Sequence, residues 1–219
     1  MTEKWNITLR VYRQKENEPS RFDEFKMEVN PDEYVLDAVE RAWAFHDRTI
    51  CFRHACHHST CGGCGMRVDG VEKLTCITLI RDVTRDGATL KVEPLRNFPI
   101  AADLAVDMSP FYRALEEAGQ MPVVPVQGSS LPYENEGELF ASDGLAHERL
   151  ADCIECGMCV SACPVALTTG AYAGPAALAA AQAAHALSGD PQRLEWSDCA
   201  DGVWRCHSAF ECTAVCPSN

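Results

Sequence analysis

The number and spacing of the cysteines constrain this chain more than any other feature. There are 13 cysteines in 219 residues, and an odd number cannot all be paired as disulfides within one chain. The first residues also lack the apolar run of a secretory signal, so we expect a reducing cytosol. Cytosolic proteins this rich in cysteine generally use their thiols to bind metal, and most of these cysteines fall into three ligand-like runs.

The first run, Cys56-x4-Cys61-x2-Cys64 followed by Cys76, has the spacing that plant-type ferredoxins use for a [2Fe–2S] cluster. Thiolates are soft ligands that suit iron–sulfur clusters, and the glycines at 62, 63 and 65 let the backbone approach a cluster closely. The alternative is a zinc site, although structural zinc generally uses two short C-x2–4-C arms. We therefore predict that these four cysteines hold a [2Fe–2S] cluster.

The second run, Cys153-x2-Cys156-x2-Cys159-x3-Cys163-Pro164, matches the bacterial ferredoxin pattern. In that pattern the fourth cysteine serves the other cluster of a pair. A single run of this kind therefore requires a partner run elsewhere in the chain.

The partner run is Cys206-x2-Ala209-x2-Cys212-x3-Cys216, which has the same spacing with one cysteine replaced by alanine. Exchanging the fourth cysteines gives two ligand sets: Cys153, Cys156, Cys159 and Cys216, and Cys163, Cys206 and Cys212. The first set predicts a [4Fe–4S] cluster. The three thiolates of the second set suit a [3Fe–4S] cluster, and the alternative is a [4Fe–4S] cluster with water or another group on its fourth iron.

Two cysteines and a group of histidines remain outside these sets. Cys51 and Cys199 are predicted to be small buried thiols and not ligands, because free cysteine packs as a small hydrophobe. The histidines near the first run are expected at the surface or beside the ligands, and not as the two histidine ligands that a Rieske centre needs: His54, His57 and His58.

The pattern of elements divides the chain into an α+β half, residues 1–105, and a helical half, residues 106–219. Alternating apolar residues predict strands, and Asp69-Gly70 between two short apolar runs predicts a hairpin. The predicted elements are strands at 5–12, 22–29, 66–68, 72–74 and 89–93, and helices from Pro31, at 111–118 and at 171–187. Several prolines and glycines predict an irregular linker at 119–138, and the second half gives no strand signal.

Charge also differs between the two halves. The chain has 32 acidic and 19 basic residues, a formal net charge of −13. Residues 1–105 carry a net charge of −2, and residues 106–219 one of −11. This balance argues against a general binder of nucleic acid or anionic membranes, both of which require a basic surface. The absence of an apolar run of about 20 residues predicts that the chain does not span a membrane.

Four segments together carry a resemblance to a known family: 56–66 (CHHSTCGGCGM), 153–159 (CIECGMC), 174–177 (GPAA) and 205–217 (RCHSAFECTAVCP). With these motifs the chain resembles the iron–sulfur subunit of succinate dehydrogenase and fumarate reductase, the respiratory complex II family. The resemblance covers nearly the whole chain. It implies a β-grasp plant-type ferredoxin domain followed by an all-α, bacterial-ferredoxin-like domain, in agreement with the order of the predicted elements.

The resemblance implies a subunit that conducts electrons and leaves the dicarboxylate chemistry to a partner. Electrons from succinate would pass from FAD on a flavoprotein subunit through the [2Fe–2S], [4Fe–4S] and [3Fe–4S] clusters to a quinone. Fumarate reduction would use the same path in reverse. Pro164 and His207 match positions that the family places beside the quinone. Residues 165–169 replace the tryptophan pair of well-known ubiquinone-linked members, which favours menaquinone.

The implied location is the cytoplasmic face of a prokaryotic cell membrane, on membrane anchor subunits. We expect the acidic helical half to dock on the basic cytoplasmic face of those anchors, and the alternative is a solvated acidic surface. For His207, the alternative to a contact with the quinone is a purely structural role.

Two different functions remain open for the same sequence. A soluble, thiol-linked fumarate reductase or related flavin oxidoreductase would keep the clusters and change the electron donor or acceptor. A zinc-stabilised interaction module would carry no iron and would transfer no electrons.

Overall fold

The N-terminal half of the protein is built on one mixed β-sheet. The computed structural model describes residues 4–16, 18–119, 149–188 and 190–218. The strands are β1 (Trp5–Arg13), β2 (Arg21–Val29), β3 (Gly65–Val68), β4 (Val71–Leu74), β5 (Thr89–Glu93), β6 (Ile100–Ala102) and β7 (Ala105–Val106). Five of them form a sheet in the order β2-β1-β5-β3-β4, and β6 pairs with β7.

The sheet is mixed because β1 pairs antiparallel with β2 but parallel with β5. Alternation along β1 turns Ile7, Leu9 and Val11 inward. These side chains share one buried core with Val39 of helix α1 (Val35–Phe45), whose apolar positions recur at helical spacing. The predicted α+β half with a β-grasp sheet is therefore confirmed.

The hairpin between β3 and β4 turns at Asp69 and Gly70, as predicted. Both residues have left-handed backbone, with φ of 47° and 89°, which is typical of a tight type I′ turn. The strand register pairs Gly65 with Leu74. The residues just outside the paired strands, Cys64 and Cys76, therefore lie at the same end of the hairpin.

A buried arginine fixes the segment that leads into the first cysteine run. The Arg13 side chain is 1% exposed and forms ion pairs with Asp23, Asp47 and Asp103 at 2.8, 2.6 and 3.2 Å. The hydrogen bond from Arg13 holds the pKa of Asp47 well below its usual range. Asp103 also accepts a hydrogen bond from the backbone N–H of Cys51 at 2.9 Å. Strand β1 is thus tied to the start of the cysteine loop.

The second half is helical, as predicted. Its helices are α3 (Ser109–Glu117), α4 (Met158–Ala162), α5 (Pro164–Thr168), α6 (Pro175–Ser188), α7 (Gln192–Ser197) and α8 (Glu211–Ala214), with 3-10 turns at Arg149–Asp152 and Val203–Arg205. The first half has one further short helix besides α1, which is α2 (Ile80–Val83). Within the described ranges, no residue after Val106 belongs to a strand. The predicted linker at 119–138 lies outside the described residues apart from Gly119.

Helix α6 begins at Pro175, later than the predicted start at Ala171. Gly174 has a φ of 88°, which is incompatible with a helix continuing through it, and proline suits the first turn of the helix that follows. Among the residues that the structure describes, no helix combines the length and apolar character needed to cross a bilayer.

Buried polar contacts join the sheet to helix α4. The Ser161 hydroxyl donates to the Glu72 carboxylate at 2.7 Å and accepts from the backbone N–H of Arg96 at 2.8 Å. The Asn97 side chain donates to the carbonyl of Val160 at 2.7 Å. Ser161 and Glu72 are both buried. These bonds fix the helix that carries Cys159 against the end of the sheet.

Candidate iron–sulfur cluster sites

The loop that begins at Cys56 curls so that backbone N–H groups point at its sulfur atom. Sγ of Cys56 accepts hydrogen bonds from the N–H groups of His58, Thr60 and Cys61 at 3.5, 3.3 and 3.3 Å. Several residues of this loop have left-handed backbone, which produces the tight curl. The hydrogen bonds, led by that from His58, lower the pKa of Cys56 to about 6. They therefore favour the thiolate, the form that binds metal.

The other cysteines of the first run lie beside Cys56. The Cys61 thiol hydrogen-bonds with that of Cys56. Cys64 and Cys76 are buried, and Thr75 holds them together by donating from its N–H and its hydroxyl to the Cys64 carbonyl, at 3.3 and 2.9 Å. Burial, together with a hydrogen bond with the Cys64 thiol, raises the pKa of Cys76 to about 11. The structure thus brings the four predicted ligands into one place.

A small cavity in the helical half has a volume of about 30 Å³, and four thiols line it. They belong to the set predicted for the [4Fe–4S] cluster: Cys153, Cys156, Cys159 and Cys216. Burial raises the pKa of Cys156 to about 11. Burial also raises the pKa of Cys159, and the neighbouring thiols add to that shift. The fold therefore brings Cys216, from the end of the chain, to the three cysteines of the earlier run.

A larger cavity of about 210 Å³ lies between α5, the start of α6 and the last turns of the chain. Its lining includes the three cysteines of the remaining set and the two predicted quinone-side residues: Cys163, Cys206, Cys212, Pro164 and His207. Ala209 lines the same cavity. Because Ala209 offers only a methyl group, this site has three thiols where the other two sites have four.

One hydrogen bond recurs at all three sites: the N–H two residues after a cysteine donates to its sulfur. The pairs are His58 to Cys56 at 3.5 Å, Gly63 to Cys61 at 3.4 Å, Ser208 to Cys206 at 3.4 Å, Glu155 to Cys153, and Met158 to Cys156. Such bonds stabilise negative charge on the sulfur and shift the potential of a cluster. Thiols as the only ligands, with backbone N–H groups around them, fit iron–sulfur clusters.

The first and second sites touch each other through Gly62. A Cβ atom at this position would lie 2.7 Å from Cα of Cys156 and 2.9 Å from the carbonyl oxygen of Ile154. Only glycine fits so close an approach, and its φ of 66° also favours glycine. The first cysteine loop is therefore packed directly on the second cysteine run.

Comparisons with known proteins agree with this arrangement. Residues 8–113 match the model of the 2Fe–2S iron–sulfur cluster binding domain, and residues 149–219 match that of the 4Fe–4S dicluster domain. The chain is 32% identical over 214 residues to the fumarate reductase iron–sulfur subunit of Mycobacterium tuberculosis, covering 95% of this chain and 84% of that one. The chain belongs to the family of fumarate reductase iron–sulfur subunits.

Two further comparisons support the family and the fold. This iron–sulfur subunit is 35% identical over 174 residues to the fumarate reductase iron–sulfur subunit of Escherichia coli, covering 78% of this chain and 68% of that one. A chain of the solved structure "Mycobacterium smegmatis Sdh1 complex in the apo form" superposes with a TM-score of 0.78 at 24% identity, over 99% of this chain and 90% of that chain. The predicted fold class is therefore confirmed.

Sequence reasoning missed one residue of the third site in this iron–sulfur subunit. Tyr172 lines the 210 Å³ cavity, and its hydroxyl hydrogen-bonds with the Cys206 thiol. Burial, together with the nearby thiols of Cys206 and Cys163, raises the pKa of Tyr172. No ligand spacing includes this residue, and the only signal was an aromatic side chain just before the motif that begins at Gly174.

The prediction that Cys51 and Cys199 are buried is wrong, because both are exposed. The backbone of Cys51 is fixed by hydrogen bonds on both sides, to Asp103 and from Leu104, and these do not require the side chain to enter the core. Neither cysteine lines the two thiol-lined cavities. The three histidines near the first run are exposed, as expected: His54, His57 and His58.

Proposed function

We propose that this chain is the electron-transfer subunit of a succinate:quinone oxidoreductase. It relays electrons between FAD on a flavoprotein subunit and a membrane quinone, during succinate oxidation or fumarate reduction. The observation that carries this proposal is the grouping of thiols in the helical half, with four around one cavity and three around the other. A site with only three thiols suits a [3Fe–4S] cluster at the quinone end of such a relay.

The proposed ligands follow the three groups of cysteines. The [2Fe–2S] cluster is held by Cys56, Cys61, Cys64 and Cys76, the [4Fe–4S] cluster by Cys153, Cys156, Cys159 and Cys216, and the [3Fe–4S] cluster by Cys163, Cys206 and Cys212. We also propose the division into a [2Fe–2S] domain, residues 1–105, and a helical domain for the other two clusters, residues 106–219. In support, the last strand ends at Val106 within the described ranges.

The residues of this chain set the positions and surroundings of the clusters. When bound, the clusters supply one-electron carriers. The contact between Gly62 and Cys156 keeps the first two sites adjacent, which favours transfer between them. Backbone N–H groups stabilise the negative charge of the ligating sulfurs, and burial of Cys64, Cys76 and Cys156 excludes water.

We place the quinone beside the third site, next to Pro164 and His207. Both residues line the cavity with its three thiols, and His207 offers a ring N–H for a hydrogen bond to a quinone oxygen. The segments around the cavity carry exposed apolar side chains, suited to an apolar ligand and to membrane anchor subunits: Leu167, Val203, Trp204 and Phe210. Because residues 165–169 contain no tryptophan, we assign menaquinone as the quinone.

We propose that the subunit lies peripherally on the cytoplasmic face of a prokaryotic cell membrane. The net charge of −11 in residues 106–219 complements the excess of lysine and arginine that cytoplasmic loops of membrane proteins carry. The exposed apolar residues around the third site lie in the same half. Both features suit docking on anchor subunits.

The test is to purify the chain from membranes together with its partner subunits and to measure succinate-dependent reduction of menaquinone and ubiquinone analogues. We expect FAD on a co-purifying flavoprotein and faster turnover with the menaquinone analogue. A soluble complex that reduces fumarate with a thiol donor and shows no quinone-dependent turnover would contradict the proposal and favour a thiol-linked fumarate reductase.

A further inference from the structure

A second group of metal-ligand atoms lies beside the first cysteine loop and contains no sulfur. Glu40, on helix α1, places Oε1 3.2 Å from Nδ1 of His54 and 3.3 Å from Nε2 of His57. The two ring nitrogens hydrogen-bond with each other at 3.0 Å. The three atoms therefore form a nearly regular triangle that joins the helix to the loop.

The size of this triangle matches one face of a zinc coordination tetrahedron. Zinc binds histidine nitrogen and carboxylate oxygen at about 2.0–2.1 Å, so two ligand atoms of a regular tetrahedron are about 3.3 Å apart. The three measured separations, 3.0, 3.2 and 3.3 Å, are close to that length. An ion just above the plane of the triangle would reach all three atoms and leave a fourth position for water.

The carboxylate oxygen in this triangle lacks a hydrogen-bond partner. Oε1 of Glu40 is shielded from solvent, and no described residue donates a hydrogen bond to it, because the two nearby ring nitrogens are close but poorly aligned. Shielding a carboxylate oxygen from water without giving it a hydrogen-bond partner raises the free energy of the folded protein. A bound cation would give this oxygen a partner and would take both ring nitrogens as ligands in place of their mutual hydrogen bond.

The two imidazole rings are held in place before any ion binds. The His54 ring stacks on Phe52, with centroids 5.0 Å apart and an interplanar angle of 17°. The His57 ring stands at 86° to that of His54, with ring centroids 5.1 Å apart. Phe52 in turn packs edge-on against Trp43 of α1. This arrangement lowers the cost of ordering the rings around an ion.

We propose that Glu40, His54 and His57 form a site for a divalent cation of the zinc type, separate from the iron–sulfur ligands. Two imidazole nitrogens with one carboxylate oxygen suit zinc, whereas magnesium and calcium prefer oxygen ligands. The bound ion bridges helix α1 and the loop that carries Cys56. It therefore adds a cross-link between two elements that also meet through the packing of Phe52 against Trp43.

The test uses the full chain with its iron–sulfur clusters in place, dialysed against Zn²⁺ alone and analysed for zinc and iron. We expect one equivalent of zinc per chain, bound without loss of iron. Glu40→Gln and His54→Ala each remove a ligand and should weaken zinc binding by at least about tenfold. His58→Ala is the matched control, because it removes a neighbouring histidine from the same loop and should bind zinc as the unaltered chain does.

X-ray absorption at the zinc edge decides the identity of the ligands in the unaltered chain and does not depend on the folding of any variant. We expect nitrogen and oxygen neighbours at about 2.0–2.1 Å and no sulfur. Sulfur neighbours at about 2.3 Å would show zinc in a cysteine site and would overturn the proposal. Unchanged zinc binding by Glu40→Gln and His54→Ala, or no zinc binding by the unaltered chain, would overturn it as well.

Discussion

At the scale of single residues, Ala209 decides how many thiols surround the last cavity. Replacing Ala209 by cysteine should supply a fourth ligand and convert a [3Fe–4S] site into a [4Fe–4S] site. We expect the electron paramagnetic resonance signal of the oxidised [3Fe–4S] cluster to disappear in Ala209→Cys. A second [4Fe–4S] signal should appear in the reduced sample.

The control for this change is Ala214→Cys, which adds a thiol on α8 at an exposed position that does not line the cavity. The oxidised signal should persist in this variant. If Ala209→Cys retained the full [3Fe–4S] signal, Ala209 would not occupy the position of the missing ligand.

Gly62 controls the contact between the first two cluster sites. A Cβ at Gly62 would lie 2.7 Å from Cα of Cys156, whereas one at Gly87 would have no heavy atom within 4 Å. Both glycines have left-handed backbone, with φ of 66° and 76°, so alanine costs a similar strain of about 1–2 kcal/mol at each. Gly62→Ala should lower the free energy of unfolding by about 1–3 kcal/mol more than Gly87→Ala does, because of overpacking. We also expect it to bind less iron.

The comparison of Gly62→Ala with Gly87→Ala is made by calorimetric unfolding temperature and by iron analysis. We expect a lower Tm and a lower iron content in Gly62→Ala. Equal values in the two variants would show that the backbone strain alone matters and that the two cluster sites are not packed as described.

The residues of the candidate sites were predictable to the extent that they obey a local spacing. The exchange of fourth cysteines predicted that Cys216 would join the run that begins at Cys153, and the structure places both at one cavity. Tyr172 and the contact of Gly62 with Cys156 were not predicted, since they depend on distant segments meeting. The exposure of Cys51 and Cys199 was missed for the same reason.

At the scale of elements, the bond between Ser161 and Glu72 holds helix α4 on strand β4. Ser161→Ala removes the acceptor of the Arg96 N–H and one donor to the buried Glu72 carboxylate. Leaving such groups without partners costs about 1–3 kcal/mol. We therefore expect the Tm of the protein with its clusters to fall by about 5 °C.

Ser109→Ala provides the matched control, because Ser109 also hydrogen-bonds a carboxylate, that of Asp107, but is exposed. Its effect should stay within about 0.5 kcal/mol. Calorimetry of both variants checks the prediction. An equal Tm for Ser161→Ala and Ser109→Ala would mean that the buried contact does not hold α4 against the sheet.

Elements that show periodicity over a long stretch were predictable, and short ones were not. Strand β1 has nine residues of alternating burial, and the hairpin carries the turn pair Asp69-Gly70. Helices α4, α5, α7 and α8 have four to six residues each, too few to display a helical repeat. Their positions follow from the cysteine runs and prolines around them.

At the scale of the whole molecule, the last segment of the chain is stabilised differently from the rest. The sheet and α1 share a core of buried side chains, and helices α3 and α4 contribute Phe111, Leu115 and Met158 to a second buried core. Helices α7 and α8 have no buried residues. Metal binding is therefore expected to supply much of the stability of residues 190–218.

Removal of the clusters should unfold residues 190–218 while the sheet persists. After iron is chelated under reducing conditions, hydrogen exchange followed by mass spectrometry should show lost protection in residues 190–218 and retained protection in β1 and β5. The protein with its clusters intact is the control. Equal protection of residues 190–218 before and after chelation would show that this segment folds without its clusters.

The electron paramagnetic resonance spectrum of the purified chain with its clusters distinguishes the proposed set of three clusters from other sets. We expect a [3Fe–4S] signal in the oxidised sample, from the site of Cys163, Cys206 and Cys212, and a [2Fe–2S] signal after reduction. An oxidised sample without a [3Fe–4S] signal, in a preparation whose iron content shows the clusters to be present, would contradict the proposed relay at its quinone end.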